Sequence, residues 1–126
     1  MSKDNIKVKV TNLTKKFGDL LVLDDISFDV KEGEFLCIVG PTGCGKTTFL
    51  NSLTKLYDIT AGEILVNGEP VDLMKHNIAY IFQEYSTFPW LKVEENVKYG
   101  LKIKKLPEAE IQKKADEVIK MVGLEE

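Results

Sequence analysis

Residues 40–47 read Gly-Pro-Thr-Gly-Cys-Gly-Lys-Thr and fit the phosphate-loop pattern G-x-x-x-x-G-K-[ST] at every fixed position. No other feature so narrows what the chain can fold into, because such a loop works only between a strand and a helix. Upstream, Glu34-Phe35-Leu36-Cys37-Ile38-Val39 is a short apolar run that predicts a strand buried on both faces. Downstream, Thr47 to Leu53 predicts a helix that starts near Gly45, with Phe49, Leu50, Leu53 and Leu56 on one face.

The chemistry follows from backbone geometry. A loop wrapped closely around a β-phosphate needs residues without bulk that accept unusual backbone angles, hence Gly40, Gly43 and Gly45. Successive N–H groups then face the anion, and the helix start adds its positive end. Lys46 brings a full charge to the β- and γ-phosphates, and the Thr47 hydroxyl ligates magnesium. The ligand this implies is a nucleoside triphosphate with magnesium.

Length and charge bound the rest. The 126 residues are enough for one small domain, and 44% hydrophobic with 29% charged content reads as globular. A net charge of −3 gives no reason to expect nucleic-acid binding. All 17 basic residues are lysines, so the chain cannot supply an arginine finger to a transferring phosphate. The two cysteines do not suggest a disulfide, and a reducing, cytosolic setting is expected. Cys44 is either a reactive thiol at a helix start or a small residue that fits the loop. With no signal-like start and no run near 18 apolar residues, the chain is expected to be soluble, or held at a membrane by a partner.

Along the chain, Ile6, Val8 and Val10 alternate with polar residues, as do Ile26, Phe28 and Val30, predicting two half-buried strands. Lys31 to Glu34 reads as the turn into the phosphate-loop strand. Gly62 to Val66 is a further strand followed by the tight-turn pair Asn67-Gly68. Asn77 to Phe82 reads as another strand ending at Gln83, and Tyr85 to Pro89 as an aromatic loop. Helices are predicted over Val93 to Ile103 and from Pro107, with Glu108 and Glu110 in the first turn. The second helix carries a stripe of Ile111, Ala115, Val118, Ile119 and Val122, stops at Gly123, and is read as core packing rather than a binding face.

Part of a complete site does not appear. A phosphate-loop ATPase needs a second strand ending in Asp. The nearest match, Leu20 to Asp25, precedes the loop and runs into an alternating strand, so it reads as a decoy rather than a metal site. The single histidine, His76, lies in a polar turn and is expected at the surface.

Several segments together resemble the N-terminal half of an ABC transporter ATP-binding subunit, along essentially the whole chain. Lys15-Lys16-Phe17-Gly18 looks like the segment whose aromatic stacks on adenine, and Val22 to Phe28 like the family's next strand, which supports the decoy reading of Asp24-Asp25. Gly62 to Gly68 resembles the hairpin after the phosphate-loop helix, and Ile81-Phe82-Gln83-Glu84 the glutamine loop. Phe88 to Val97 is similar to the following segment in importers of the nitrate, sulfonate and taurine type.

The resemblance implies an α/β fold: an incomplete P-loop NTPase core with an antiparallel β subdomain over about 1–83, then the glutamine loop and the start of a helical subdomain over about 83–126. It implies ATP and Mg2+ as ligands, with Phe17, Val22, Gly40, Pro41, Thr42, Gly43, Cys44, Gly45, Lys46, Thr47 and Thr48 as nucleotide-binding residues. Phe17 would stack on adenine with Val22 beside it; an ordinary core residue is the alternative reading of Phe17. Phe17 stands where many members have tyrosine, which keeps the ring face. Thr47 and Gln83 would contact magnesium, and Gln83 the attacking water. The implied partners are a transmembrane permease, reached through Gln83 to Trp90, and a second ATP-binding subunit in a nucleotide sandwich; the implied place is the cytoplasmic face of a membrane. Phe88 and Trp90 read either as that partner surface or as a cap on a local core.

The signature motif, the Asp-Glu strand with its catalytic glutamate and the switch histidine do not occur. The chain is therefore expected to be a fragment that binds ATP with negligible turnover and is marginally stable, with unpaired strand edges. A non-hydrolysing nucleotide-binding or docking module is the alternative. A GTPase would carry Asn-Lys-x-Asp and a kinase would carry phosphate-clamping arginines, and neither occurs here.

Overall fold

The computed structural model describes residues 5–125, which cluster into two compact units that divide between Tyr80 and Ile81. In the first unit a four-stranded antiparallel sheet has the order β2-β1-β3-β4, from β1 (Ile6–Phe17), β2 (Leu20–Lys31), β3 (Ala61–Val66) and β4 (Glu69–Pro70). Helix α1 (Lys46–Leu53) packs on the sheet through β2.

The long β1–β2 hairpin is not a regular ladder. Asn12 and Asp25 both take left-handed φ, 50° and 49°, and the pairing register shifts between Val10 and Leu13. A bulge of this kind resets the alternation. It lets Val10 and Leu13, three apart, both turn inward, where they are 2% and 0% exposed. The Asn12 amide donates to the Asp25 carboxylate, and the Asn12 backbone N–H donates to Ser27 Oγ at 2.8 Å. Asp25 is thus part of the bulge, and no group of three or more metal-ligating side chains occurs among the described residues. Beside the bulge, Gly62 (φ +91°) brings β3 so close that a Cβ there would lie 2.3 Å from the Asn12 carbonyl oxygen. The Asn67-Gly68 hairpin turn forms with both φ positive, as a type I′ turn requires.

The core of this unit joins Val10, Leu13, Leu23, Ile64, Val66 and Val71 to Phe49 of α1, whose ring lies 5.5 Å from that of Phe28. Helix α1 spans the expected stretch but does not reach Leu56. It ends at Leu53, where the Thr54 hydroxyl donates to the Leu50 carbonyl at 3.0 Å and Lys55 turns to φ 56°. Its buried face is Phe49 and Ser52, while Leu50 and Leu56 stay exposed.

Two expected strands do not form. Residues 34–39 are not hydrogen-bonded into a sheet, and Phe35 is 93% exposed. Residues 77–82 likewise form no ladder, although Ile78 packs on the core and the Tyr80 hydroxyl donates to Asn51 Oδ1 at 2.9 Å. A strand exists only through a neighbour, and the described residues offer neither segment one. His76 also departs from expectation. Its side chain is only 4% exposed, Nδ1 accepts the Asp72 N–H at 3.1 Å, and Nε2 faces the Glu69 carboxylate at 3.8 Å. The ring closes the turn after β4 instead of facing water.

The second unit holds α2 (Val93–Ile103), with the expected bounds, packed on α3 (Glu108–Met121). Pro107 caps α3, and the Gly123 and Leu124 N–H groups close its end on the Lys120 and Ile119 carbonyls, each at 3.0 Å, in a Schellman motif. Only Ile111 and Ala115 of the expected stripe are buried, while Val118 and Val122 are exposed. Across the pair, the Lys98 ammonium and the Gln112 amide both donate to Glu94. The Lys98 hydrogen bond, then that of Gln112, holds the Glu94 carboxyl below its ordinary value of 4.5, and Glu94 in turn raises Lys98.

Two predictions follow from this packing. Leu13→Ala should destabilise the first unit by about 2–5 kcal/mol in urea titration. Phe35→Ser should change stability by less than about 0.5 kcal/mol while lowering light scattering; an equal loss for both would show that 34–39 is packed. Glu94 is deprotonated more readily folded than unfolded, so its contribution is complete above pH 4.5 and fades as pH falls below it. Glu94→Gln should therefore flatten the acid limb of helical circular dichroism, and an unchanged limb would count against the pair.

Candidate functional site

The phosphate-loop residues lie in the first unit, between the extended segment 34–39 and α1. The Cys44 N–H donates to the Pro41 carbonyl at 3.3 Å, which turns the loop over. Gly45 then caps α1 at φ +97° and accepts the Phe49 N–H at 2.8 Å. A Cβ on Gly45 would lie 3.1 Å from Leu23 Cδ2, 3.2 Å from the Val22 carbonyl oxygen and 3.3 Å from Val22 Cγ1. Positive φ and a close neighbour both demand glycine here. The structure therefore brings Val22 of β2 directly against the start of the helix.

Lys46 sets the electrostatics. Its ammonium donates to the Gly40 and Pro41 carbonyls, each at 2.7 Å, and lies 3.6 Å from Cys44 Sγ. The charge is thus folded back across the loop and held by neutral acceptors. The first turn of α1 carries no acidic side chain to neutralise the lysine or the helix end. The first amides of a helix have no intrahelical acceptor. Together these make a concave cluster of donors, suited to an anion that can outcompete two carbonyls for the ammonium. Thr47 is exposed on the same turn, and Thr48 is half-buried with its carbonyl accepting Ser52 Oγ at 2.9 Å. A cavity of about 330 Å³ has apolar walls from Leu23, Phe28, Leu36, Ile38 and Phe49 and is also lined by Cys44, Gly45 and Lys46 of the loop.

Phe17 closes β1 at the hairpin tip and is 44% exposed, so it is not an ordinary core residue. Its ring meets Tyr57 edge-on at 5.5 Å, and the Lys15 ammonium lies 4.7 Å from its centre. The sequence reading missed Tyr57 and Lys15. The only signal was a lysine two residues before an aromatic on one strand face.

Gln83 belongs to the second unit and is exposed. In that unit Phe88 is half-buried, its ring 4.5 Å from Tyr99, whereas Trp90 is 75% exposed. The aromatic loop thus has both characters: Phe88 belongs to local packing and Trp90 faces outward. Asn96, another residue the sequence reading passed over, organises this loop. Its Oδ1 accepts the Phe88 N–H at 2.8 Å, and its Nδ2 donates to the carbonyls of Phe88, Leu91 and Lys92.

A family model described as "ABC transporter" matches residues 23–126. Spermidine/putrescine import ATP-binding protein PotA of Bacteroides thetaiotaomicron is 40% identical over 98% of this chain and 27% of its own length. The Fe(3+) ions import ATP-binding protein FbpC of Photobacterium profundum is 40% identical over 98% of this chain and 36% of its own. sn-Glycerol-3-phosphate import ATP-binding protein UgpC of Bordetella avium is 43% identical over 90% and 32%. The chain thus spans about a third of the length of these relatives. Among solved structures, cbiO1 of Clostridium perfringens, part of the transporter complex cbiONQ, superposes with a TM-score of 0.80 at 30% identity, covering 96% of this chain and 52% of that one. The ATP-binding cassette MJ0796, in a dimeric post-hydrolysis state bound to ADP and Pi, gives 0.79 at 34% identity, covering 94% and 58%. The α/β phosphate-loop fold class is thereby established.

Both Gly43 and Gly45 have positive φ, but only Gly45 is crowded. Gly43→Ala should cost about 1 kcal/mol, from backbone strain alone. Gly45→Ala should cost clearly more and shift the Leu23 methyl resonances; equal costs would contradict the close approach of β2.

Proposed function

Because this chain belongs to the ABC transporter family, we propose that it is the nucleotide-binding part of an import ATPase, holding ATP in the loop from Gly40 to Thr47. The observation that carries this is the Lys46 ammonium, parked on two carbonyls above an uncompensated helix start. ATP phosphates would take that ammonium over from the Gly40 and Pro41 carbonyls while the α1 amides bind the remaining oxygens.

The base would stack on Phe17 with Val22 beside it, and the contact of Val22 with Gly45 supports one continuous site for base and phosphates. Pro41, Thr42, Gly43 and Cys44 supply loop backbone, and Thr48 the following helical turn. Magnesium fits the donor set, since it is commonly held by one or two protein oxygens plus substrate phosphates, and the Thr47 hydroxyl lies exposed on the helix start. When bound it would neutralise charge on the β- and γ-oxygens. Gln83 is assigned to the same ion and to positioning water. Hydrolysis belongs to the whole protein, as do the permease partner met through Gln83 to Trp90, the paired ATP-binding subunit and a place at the cytoplasmic membrane face.

The two subdomains are assigned to about 1–83 and 83–126, which the division of the compact units between Tyr80 and Ile81 supports. The relatives are named for three different solutes, a polyamine, ferric ions and a glycerol phosphate, while Phe88 to Val97 resembles importers of nitrate, sulfonate and taurine. We assign import as the direction and leave the solute to the permease. No described helix is long and apolar enough to cross a membrane.

Lys46→Ala should weaken ATP binding at least about tenfold, because charge-assisted hydrogen bonds are worth roughly 1.5–3 kcal/mol each. Isothermal calorimetry reads this, with circular dichroism to confirm the fold. Unchanged affinity in a folded variant would remove Lys46 from the site.

A further inference from the structure

We propose that Lys15 and Tyr57 are positioning residues for the base, fixing the ring of Phe17 so that one defined face is presented to it. This rests on the reading of Phe17 as the stacking residue. A hairpin tip is a poor platform by itself, since two strands alone are marginally ordered in water. Phe17 lies one residue before the Gly18-Asp19 turn, yet its ring is held by two groups.

Lys15 carries the first restraint. Its ammonium lies 4.7 Å from the Phe17 ring centre and 5.8 Å from that of Tyr57, and donates to the Asp58 carbonyl. Tyr57 carries the second, with its ring at 88° to Phe17 and a centroid separation of 5.5 Å. The separations of 4.7, 5.5 and 5.8 Å make a triangle with acute angles only. Tyr57 therefore cannot lie behind Phe17 on the side away from Lys15. Seen from the Phe17 ring centre, the two groups lie less than a right angle apart, so they restrain the ring from neighbouring directions.

The anchor leads back to the phosphate end. Tyr57 and Asp58 lie in the loop after α1, and the Tyr57 N–H donates to the Asn51 carbonyl of that helix at 3.1 Å. The same loop is fastened to β1 by Lys16 N–H to Thr60 Oγ1 and Thr60 N–H to the Thr14 carbonyl, each at 2.9 Å. The helix whose first turn faces the phosphates thus also sets, through its trailing loop, where the stacking ring stands. Loss of the cation over the ring should weaken only the part of the affinity that depends on the base.

The test compares ATP with inorganic tripolyphosphate, both with magnesium, by calorimetry on the whole chain. Lys15→Met should weaken ATP about two- to fivefold and leave tripolyphosphate unchanged. Lys15→Arg, which keeps a cation and a donor, should restore ATP affinity, and Tyr57→Phe should match the parent. Phe17→Ala is the control for the underlying reading and should weaken ATP alone. If Phe17→Ala leaves the ATP-to-tripolyphosphate ratio unchanged, the stacking assignment itself fails. If Phe17→Ala changes that ratio but Lys15→Met does not, stacking stands and the positioning role is overturned. An equal loss of both ligands in Lys15→Met would show a merely structural lysine and overturn it too.

Discussion

The first unit depends on one close approach, the seating of the β2 backbone at Val22 against the helix start at Gly45. A Cβ on Gly45 would lie 3.1 to 3.3 Å from Leu23 and Val22, so a side chain there would force these neighbours to give way. That contact decides where α1 begins and sends Phe49 into the sheet against Phe28. It also leaves the helix amides and Lys46 at the loop. The hydrophobic core and the anion site are therefore two faces of one junction: the helix is held by its buried face, and its charged end is free because of it. A local packing constraint in this way becomes an electrostatic one.

The hairpin bulge plays a similar part at the other edge. The left-handed turns at Asn12 and Asp25 shift the strand alternation so that Val10 and Leu13 share the core. Gly62 accepts the resulting carbonyl of Asn12 at close quarters. Beyond the bulge the hairpin carries Lys15 and Phe17 out to the loop that follows α1. Phe17, the proposed base platform, and the phosphate loop are thus referred to the same helix, at its two ends.

Much of this was legible in the chain. The phosphate loop, the alternating strands, the Asn67-Gly68 turn, the bounds of α2 and the stop at Gly123 are local signals, decided by residues near one another. The segments 34–39 and 77–82 were misread as strands for the opposite reason. Their apolar runs record a preference for burial, but a ladder needs a second strand, and the described residues contain none beside them. His76 was misread because polar neighbours in sequence, Lys75 and Asn77, say nothing of Glu69 and the Asp72 N–H, which enclose its ring. Asn96 was passed over because its four partners all lie in the loop backbone before the helix, where side-chain identity carries no signal.

By itself the sequence carried the proposed ligand chemistry, since glycines, a lysine and a threonine at those spacings form a phosphate-loop pattern with few other uses. It also determined the hairpins and helices, whose hydrogen bonds are short-range. Only the tertiary structure decided which faces are buried, how Gly45 meets Val22, and that Lys15 and Tyr57 flank Phe17. Those arrangements join residues about 20 to 40 positions apart, and their energies come from close packing and from charges over rings, which depend on distance in space and not along the chain.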